Sequence, residues 1–461
     1  MRTGAPAGAA VTLALLLLVQ TAPTASAAGT NPFDDAGAFS VYVREDAVLN
    51  NHETEGAIAV GGTLTVRSDG GAYALVHVIA GTGDYPVPTV DGDPTRLLIG
   101  SYSAASGVVQ VKGTGGTAGT ALGYAKIVSP DAPFGFAERG GYTQYRDLGN
   151  ANSAAQGPAI DGINQPWSQN QAGETFRTAR DSVAAYVEEG PGFAAGAACL
   201  AGLADPSGSR AHRVRVTEDG GKARLELVAG VPNVVDYADL LVGWQGAMAS
   251  QVVYAGATPA ADTPLIVRVA PGTTTVAGST FGGSGEYASF VMWDLSALSG
   301  PVAFGSPSRV DGSVYGPEVD LTASFAPLDG QILTRNLVTT PGSGETHAYL
   351  FRGHLDCSGT EPTTQPTSEP TTGPTIEPTD GPTTEPTGEP SSGPTTQPTS
   401  EPTTDPTGTT SPTSGAAGSG GDDPDDTLAF TGVGAGVGVA GILGLTAITA
   451  GAILLRLRRQ A

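Results

Sequence analysis

From Pro362 to Pro406 a proline falls at every fourth position without a miss. Thr, Ser, Gly, Glu, Gln and Asp fill the spaces, and almost nothing there is apolar, so this stretch cannot build a core. Each proline fixes its own φ and pushes the preceding residue toward extended backbone. The expectation over 358–427 is a disordered, semi-rigid Pro/Thr-rich stalk. At ~3.1 Å per residue the proline-spaced part would span at most roughly 140 Å. Only residues 28–357 of the 461 are then left to fold. One large domain is expected there, rather than the two or three that ~150 residues per domain would suggest.

The two ends predict export and anchoring. Arg2 precedes an apolar run, Ala9 to Val19, that is too short to span a bilayer comfortably. Small residues follow, so 1–27 is expected to be a signal peptide cut between Ala27 and Ala28, with Ala25 completing the cleavage pattern. At the other end Leu428, Ala429, Phe430, Thr431 and Gly432 precede an apolar span over 433–455 and a basic tail over 456–461. A span of that length suits a ~30 Å hydrocarbon core, and Arg456, Arg458 and Arg459 would hold its end on the cytoplasmic side. The order of pentapeptide, span and basic stop resembles a cell-wall sorting signal of the L-A-x-T-G form found in high-GC Gram-positive bacteria. The resemblance implies that a class E-like sortase attacks the Thr431 carbonyl and passes the chain to an amine of the peptidoglycan precursor. The C-terminal helix would hold the precursor in the membrane until then. A plain transmembrane anchor is the alternative.

Charge and cysteine usage narrow the partners. The chain carries 45 acidic and 22 basic residues, a net charge of -23. Nucleic acid and anionic lipid need a basic face, so neither is an expected partner. Twelve of the acids lie between Glu361 and Asp426, where there is no Lys or Arg. The charge therefore belongs in good part to the stalk. The two cysteines, Cys199 and Cys357, are too few for a disulfide framework or a four-thiolate zinc site. In an exported chain a bridge between them is the simplest outcome; two separately buried thiols are the alternative.

Residues 28–357 hold many short β-prone runs separated by glycine. Phe39 to Val43, Ala57 to Val60, Thr63 to Val66, Gly107 to Val111, Leu225 to Val228, Leu265 to Val269, Ser289 to Trp293 and Gly330 to Leu333 are the clearest. One segment differs. Over 174–189, Phe176, Ala179, Val183 and Val187 form a helical stripe stopped at Gly190-Pro191.

The same runs carry a family resemblance. Phe39 to Val43, then Asn50 to Gly62 with Glu55, Gly56, Gly61 and Gly62, resemble the opening of the "choice-of-anchor A" domain of bacterial surface proteins. The strand ending in Trp293-Asp294 resembles its W-[ND] strand. Gly312 to Pro317 followed by Asp329, Gly330 and Gln331 resembles its G-S-x-x-A-P…G-Q-[VI] element, with Gly316 where alanine is commoner. Glu345 and His347 fall in a segment that resembles its closing G-E-x-H-x-x-x-F. The resemblance implies an adhesive module of about 32–355 with no established chemistry. It also implies an all-β fold with one long flanking helix, a β-solenoid like ice-binding-type adhesive domains.

No site pattern stands out as catalytic. Glu345 with His347, and His52 with Glu53 and Glu55, could perform acid–base work, though turn and strand-end hydrogen bonding is the plainer use. No histidine pair has ligand spacing, so no metal or cofactor is expected. Asp91-Gly92-Asp93 lacks the remaining ligands of a calcium loop and is expected to be a turn. The expected function is a non-enzymatic, extracellular, wall-anchored adhesin with an unidentified glycan or protein ligand. Alternatives are a wall-tethered polysaccharide hydrolase using Glu53, Glu55, Glu345 and Asp294, or a structural or ice-binding-like coat protein.

Overall fold

The computed structural model describes residues 30–357, apart from 68–70, 82–84, 118–122, 129–132, 141, 165–168, 172, 179–191, 204–209 and 283–284. The expected signal peptide with Ala25, Ala27 and Ala28, the stalk, the pentapeptide Leu428 to Gly432, the span and the basic tail all lie outside these residues. Among the described residues no helix is long and apolar enough to cross a membrane.

Alternation in the short runs places side chains on two sides of a 14-stranded, largely parallel sheet. In strand Val41–Val43 the two valines enter one apolar cluster, while Tyr42 between them enters a second cluster on the opposite face. The neighbours repeat this in register. Tyr42 stands opposite Leu333 on one side and Ala59 on the other; Leu333 is opposite Tyr315, and Ala59 opposite Leu98. These strands are buried on both faces, which is why they read as continuous apolar runs.

The inner cluster is shared with a nine-stranded sheet. Its strands run in the order Phe134–Arg139, Tyr142–Asp147, Ala159–Asp161, Val108–Val111, Tyr73–Val76, Glu53–Glu55, Thr346–His347, Leu328–Asp329 and Val310–Asp311. Leu75, Val109, Val111, Tyr145, Ile160, Val310 and Leu328 meet Val41, Ile58, Trp293 and Ile332 there. Trp293 is fully buried, edge-on to Phe281 and Phe304, and its indole N–H donates to the Asp311 carbonyl at 2.9 Å.

The outer cluster is covered by helix α1, Gly192–Leu203. Phe193, Cys199, Leu200 and Leu203 are buried, and each large apolar side chain so buried contributes roughly 1.5–3 kcal/mol. The Phe193 ring meets Tyr42 edge-on at 5.7 Å, and the Tyr315 hydroxyl donates to the Phe193 carbonyl at 3.3 Å. Cys199 on this helix forms a disulfide with Cys357, with the Cα atoms 5.1 Å apart. The last described segment is also held by the first: Thr30 and Leu355 exchange two backbone hydrogen bonds of 2.9 Å.

Two expectations are corrected. The β-solenoid is not the arrangement formed. A solenoid would add each coil beside its predecessor, but strand Val41–Val43 lies between Ile58–Val66 and Ile332–Thr339, 291 positions away in sequence at Val41 and Ile332. Ala47–Leu49 bridges the same two strands, so the four close a parallel circuit. Antiparallel pairs, 134–139 with 142–147 and 215–219 with 222–227, interrupt the remainder. The long helix over 174–189 is not formed at its start. Gly173–Phe176 is a single 3-10 turn, Arg177 then bridges Ile127 in parallel, and the Thr178 N–H donates to the Ile127 carbonyl at 3.1 Å. A strand partner therefore claims the backbone that a helix would have used; residues 179–191 lie outside the described ones. Apart from α1, the one other described α-helix is the single turn Ser153–Gln156.

Candidate functional site

Four adjacent strands of the nine-stranded sheet bring ionisable residues into one row. Asp311 stands opposite Asp329, and Asp329 opposite His347. Thr346 is opposite Thr54, which places His347 beside Glu55. The preceding residues Val310, Leu328, Thr346 and Thr54 point into the sheet's buried side, so alternation sends the ionisable ones to the other face. Glu53 and Glu345 lie two residues earlier on the same face.

Glu55 is fully buried and its carboxylate is saturated. Oε1 accepts from the N–H groups of Ile79 and Ala80 at 2.9 and 2.6 Å; Oε2 accepts from Gly81 at 2.8 Å and Ala348 at 3.1 Å. It thus holds the loop after Tyr73–Val76 against the closing segment. Gly56 follows at φ 93°, where a side chain would strike the Ser40 hydroxyl at 2.6 Å. Its carbonyl accepts from Nε and Nη2 of the buried Arg96, at 3.0 and 2.9 Å. Burial pulls the Arg96 guanidinium down to about 10.

His347 joins the remaining carboxylates. Nδ1 is 2.7 Å from Asp329 Oδ1, and Nε2 is 3.2 Å from Glu345 Oε2. Burial opposes the imidazolium, but the bonds to Asp329 and Glu345 outweigh it and raise the group to about 10. The bond from His347 holds Glu345 below the ordinary carboxylate range. Glu53 moves the other way: burial, then repulsion from Glu345 and Glu55, raises it to about 7. Burial raises Asp311 as well, opposed by the Phe281 N–H and by Arg309, whose Nε is 2.8 Å from Asp311 Oδ1. The row gathers five carboxyl groups around one imidazolium and one guanidinium, with backbone N–H groups taking the bonds of Glu55. Among the described residues no group of three or more His, Cys, Asp or Glu is placed to hold a metal ion.

Asp294 is not part of it. It lies in the other sheet, where Oδ1 accepts from the Ser296 N–H at 3.0 Å and hydroxyl at 2.6 Å. His52 is exposed beside a recess of about 290 Å³ shared with Asn51, Arg67 and Tyr73. Gly330 passes so close to strand Ser313–Ser324 that a Cβ would come within 2.2 Å of the Gly312 carbonyl. Gln331 next to it donates to the Phe39 carbonyl at 2.8 Å. Gly61 and Gly62 lie inside Ile58–Val66 at a register shift, where the Gly62 N–H donates to Glu45 and the Thr63 N–H to Asp46. Asp91 and Gly92 both take positive φ and form the two-residue turn between Thr89–Val90 and the strand beginning at Asp93. Asp93 then pairs with the buried Lys126 at 2.8 Å.

A second feature is a surface ladder on the outer side of the 14-stranded sheet. Thr275 stands opposite Ala303, Ala303 opposite Thr322, Thr322 opposite Val338, Val338 opposite Val48, and Val48 opposite Thr65. Thr275, Ala303, Thr322 and Val338 are exposed, Val338 to 39%. Their sequence neighbours Val276, Phe304, Ala323 and Leu337 fill the inner core. Parallel strands at ~4.8 Å thus present a repeating row of methyl and hydroxyl groups. A polar row borders it, in which Arg335 grips Asp320 through two bonds of 2.9 and 2.6 Å.

Arg309, Asp311, Arg96 and the ladder carry no motif of their own in the sequence, and Asp329 is read there only as part of the element with Gly330 and Gln331. Alternation in Thr322-Ala323-Ser324 and Val302-Ala303-Phe304 is the one local signal for the ladder, and it does not show which strands adjoin. A family described as "Putative Ice-binding-like adhesive domain" matches residues 32–348. No curated protein and no solved structure matches.

Proposed function

The chain belongs to the ice-binding-like adhesive domain family, and from that premise we propose that it is a surface adhesin fixed to the cell wall. The observation that carries this reading is the ladder from Thr275 to Thr65, a continuous row on six strands that is exposed from Thr275 to Val338 and half-buried at Val48 and Thr65, in a domain whose family is adhesive. Rigid, pre-formed contact rows bind without an ordering cost, which suits adhesion to an extended surface. The finer resemblance to choice-of-anchor A proteins belongs to the same reading, as does attachment by a class E-like sortase through Thr431 to peptidoglycan. The stalk would carry the domain away from the wall. The domain acts by binding, without a cofactor.

Two measurements test this. Mass spectrometry of muramidase-released wall fragments should find chains ending at Thr431; fragments that all retain Gly432 and the span would overturn the anchoring. A strain lacking the protein should lose attachment to surfaces that the parent colonises; equal attachment would overturn adhesion.

One observation favours a second reading, hydrolysis of a polysaccharide. Glu53 is raised to about 7 while its neighbour Glu345 is lowered, the division of roles that acid–base pairs use. Release of reducing ends from wall or matrix polysaccharide that disappears in both Glu53→Gln and Glu345→Gln would support it. No release by the wild-type chain would remove it.

A further inference from the structure

Part of the ladder is concave. Thr275, Ala303, Gly305, Thr322, Ser324 and Thr340 contribute to a shallow recess of about 350 Å³ that contains no ionisable side chain. A charged ligand group seated here would lose water without gaining a counter-charge. The lining offers hydroxyls that both donate and accept, alternating with methyl and methylene surface.

A loop with a different character flanks the recess. The Tyr237 hydroxyl accepts from the Ala277 N–H at 2.8 Å, and the Ser279 hydroxyl donates to the Ala249 carbonyl at 3.0 Å. Segment 237–249 is therefore fastened along Thr275–Ala277, the strand that forms the recess edge. It displays Trp244, whose exposure of 85% contrasts with the fully buried Trp293. The loop is closed on itself: the Gly243 N–H donates to the Ala247 carbonyl and the Ala249 N–H to the Leu240 carbonyl, both at 2.9 Å. Gln245 is held at φ 59°, a conformation that costs a non-glycine residue energy. An indole kept in water on a pre-organised loop forgoes its largest gain from burial, and an adjoining amide offers hydrogen bonds in both directions.

Resting on the adhesive reading, we propose that the recess and Trp244 together take a neutral polysaccharide. Pyranose rings present a C–H face to stack on the indole or the methyl row, and hydroxyls to meet Thr275, Thr322, Ser324 and Gln245. They carry no charge that the recess would leave unpaired.

The test measures binding of the purified full chain to immobilised neutral polysaccharides, such as dextran, mannan and β-glucan, and to anionic ones, such as heparin and alginate. It compares low salt with 1 M salt. The expected result is saturable binding to at least one neutral polysaccharide, changed less than twofold by salt. Trp244→Ala and Thr322→Arg should weaken it at least tenfold. Arg224→Ala, exposed on strand 222–227, which pairs with 215–219 and 252–256 and lines no part of the recess, should not change it. Thermal unfolding of each variant establishes that it folds, and Ala303→Arg repeats the test should Thr322→Arg not fold. Preference for anionic polysaccharide, salt-sensitive binding, or wild-type affinity in both variants would overturn the proposal. Attachment of cells carrying the same variants separates the two levels. If Thr322→Arg abolishes attachment while no neutral polysaccharide binds or competes, the ligand class is wrong and the adhesive face stands. If cells without the protein attach normally, the adhesive reading itself falls.

Discussion

His347 Nδ1 lies 2.7 Å from Asp329 Oδ1 on the adjoining parallel strand, and both side chains are almost entirely buried. The pair locks the closing segment to the strand before it. Removing the imidazole leaves Asp329 buried with less compensation, so His347→Ala should destabilise the domain by about 3 kcal/mol. Urea unfolding at neutral pH measures this.

The same histidine sets an alkaline limit. Its folded-state value of about 10 is above the ordinary 6.5. Its contribution is then fully present below pH 6.5 and is lost as pH rises toward 10. Unfolding free energy should fall across that window, and His347→Gln should flatten the fall.

Glu53 acts in the same direction over a more acidic range. Its carboxyl is raised from 4.5 to about 7, so the fold favours the protonated form. That contribution is fully present below pH 4.5 and is lost as pH rises through 7. Glu53→Gln keeps the neutral shape, and should remove this part of the pH slope between 4.5 and 7 in denaturant titrations.

Glu55 is a structural carboxylate with four backbone donors. Glu55→Gln replaces one acceptor oxygen by an NH₂ facing those N–H groups. It should cost roughly 2–3 kcal/mol. Faster amide exchange should appear first at Ile79, Ala80 and Gly81. Exchange unchanged at these three positions would contradict the clamp.

The Cys199–Cys357 bond closes a separation of 158 residues. In the chain-entropy account such a loop is worth up to ~5 kcal/mol. Reduction, or Cys199→Ser with Cys357→Ser, should lower the thermal midpoint by several degrees or more; an unchanged midpoint would mean that native contacts alone hold α1 and the C-terminal segment.

Local features were legible in the sequence where a single strand or turn decides them. Val41–Val43, Leu265–Arg268 and the turn at Asp91-Gly92 follow from short β-prone apolar runs and turn chemistry. What joins Val41 to Ile332 has no local signature, because pairing across 291 positions depends on the whole chain. The helix expected over 174–189 is corrected only at its start. The stripe over 174–189 has helical spacing, yet its first turn is taken by a bridge to Ile127. Among the described residues the long helix is Gly192–Leu203, which is apolar around most of its circumference and shows little stripe. Glu55, Glu345 and His347 could be named from the sequence, but Asp311, Asp329 and Arg309 join them only through strand order.

The exposed ladder is where the adhesive reading is most directly tested. Cells lacking the chain, complemented with wild type or with Val338→Glu at equal surface amounts, can be compared for attachment under shear. Wild type should restore attachment and Val338→Glu should not. Full restoration by Val338→Glu, or undiminished attachment without the chain, would contradict the account.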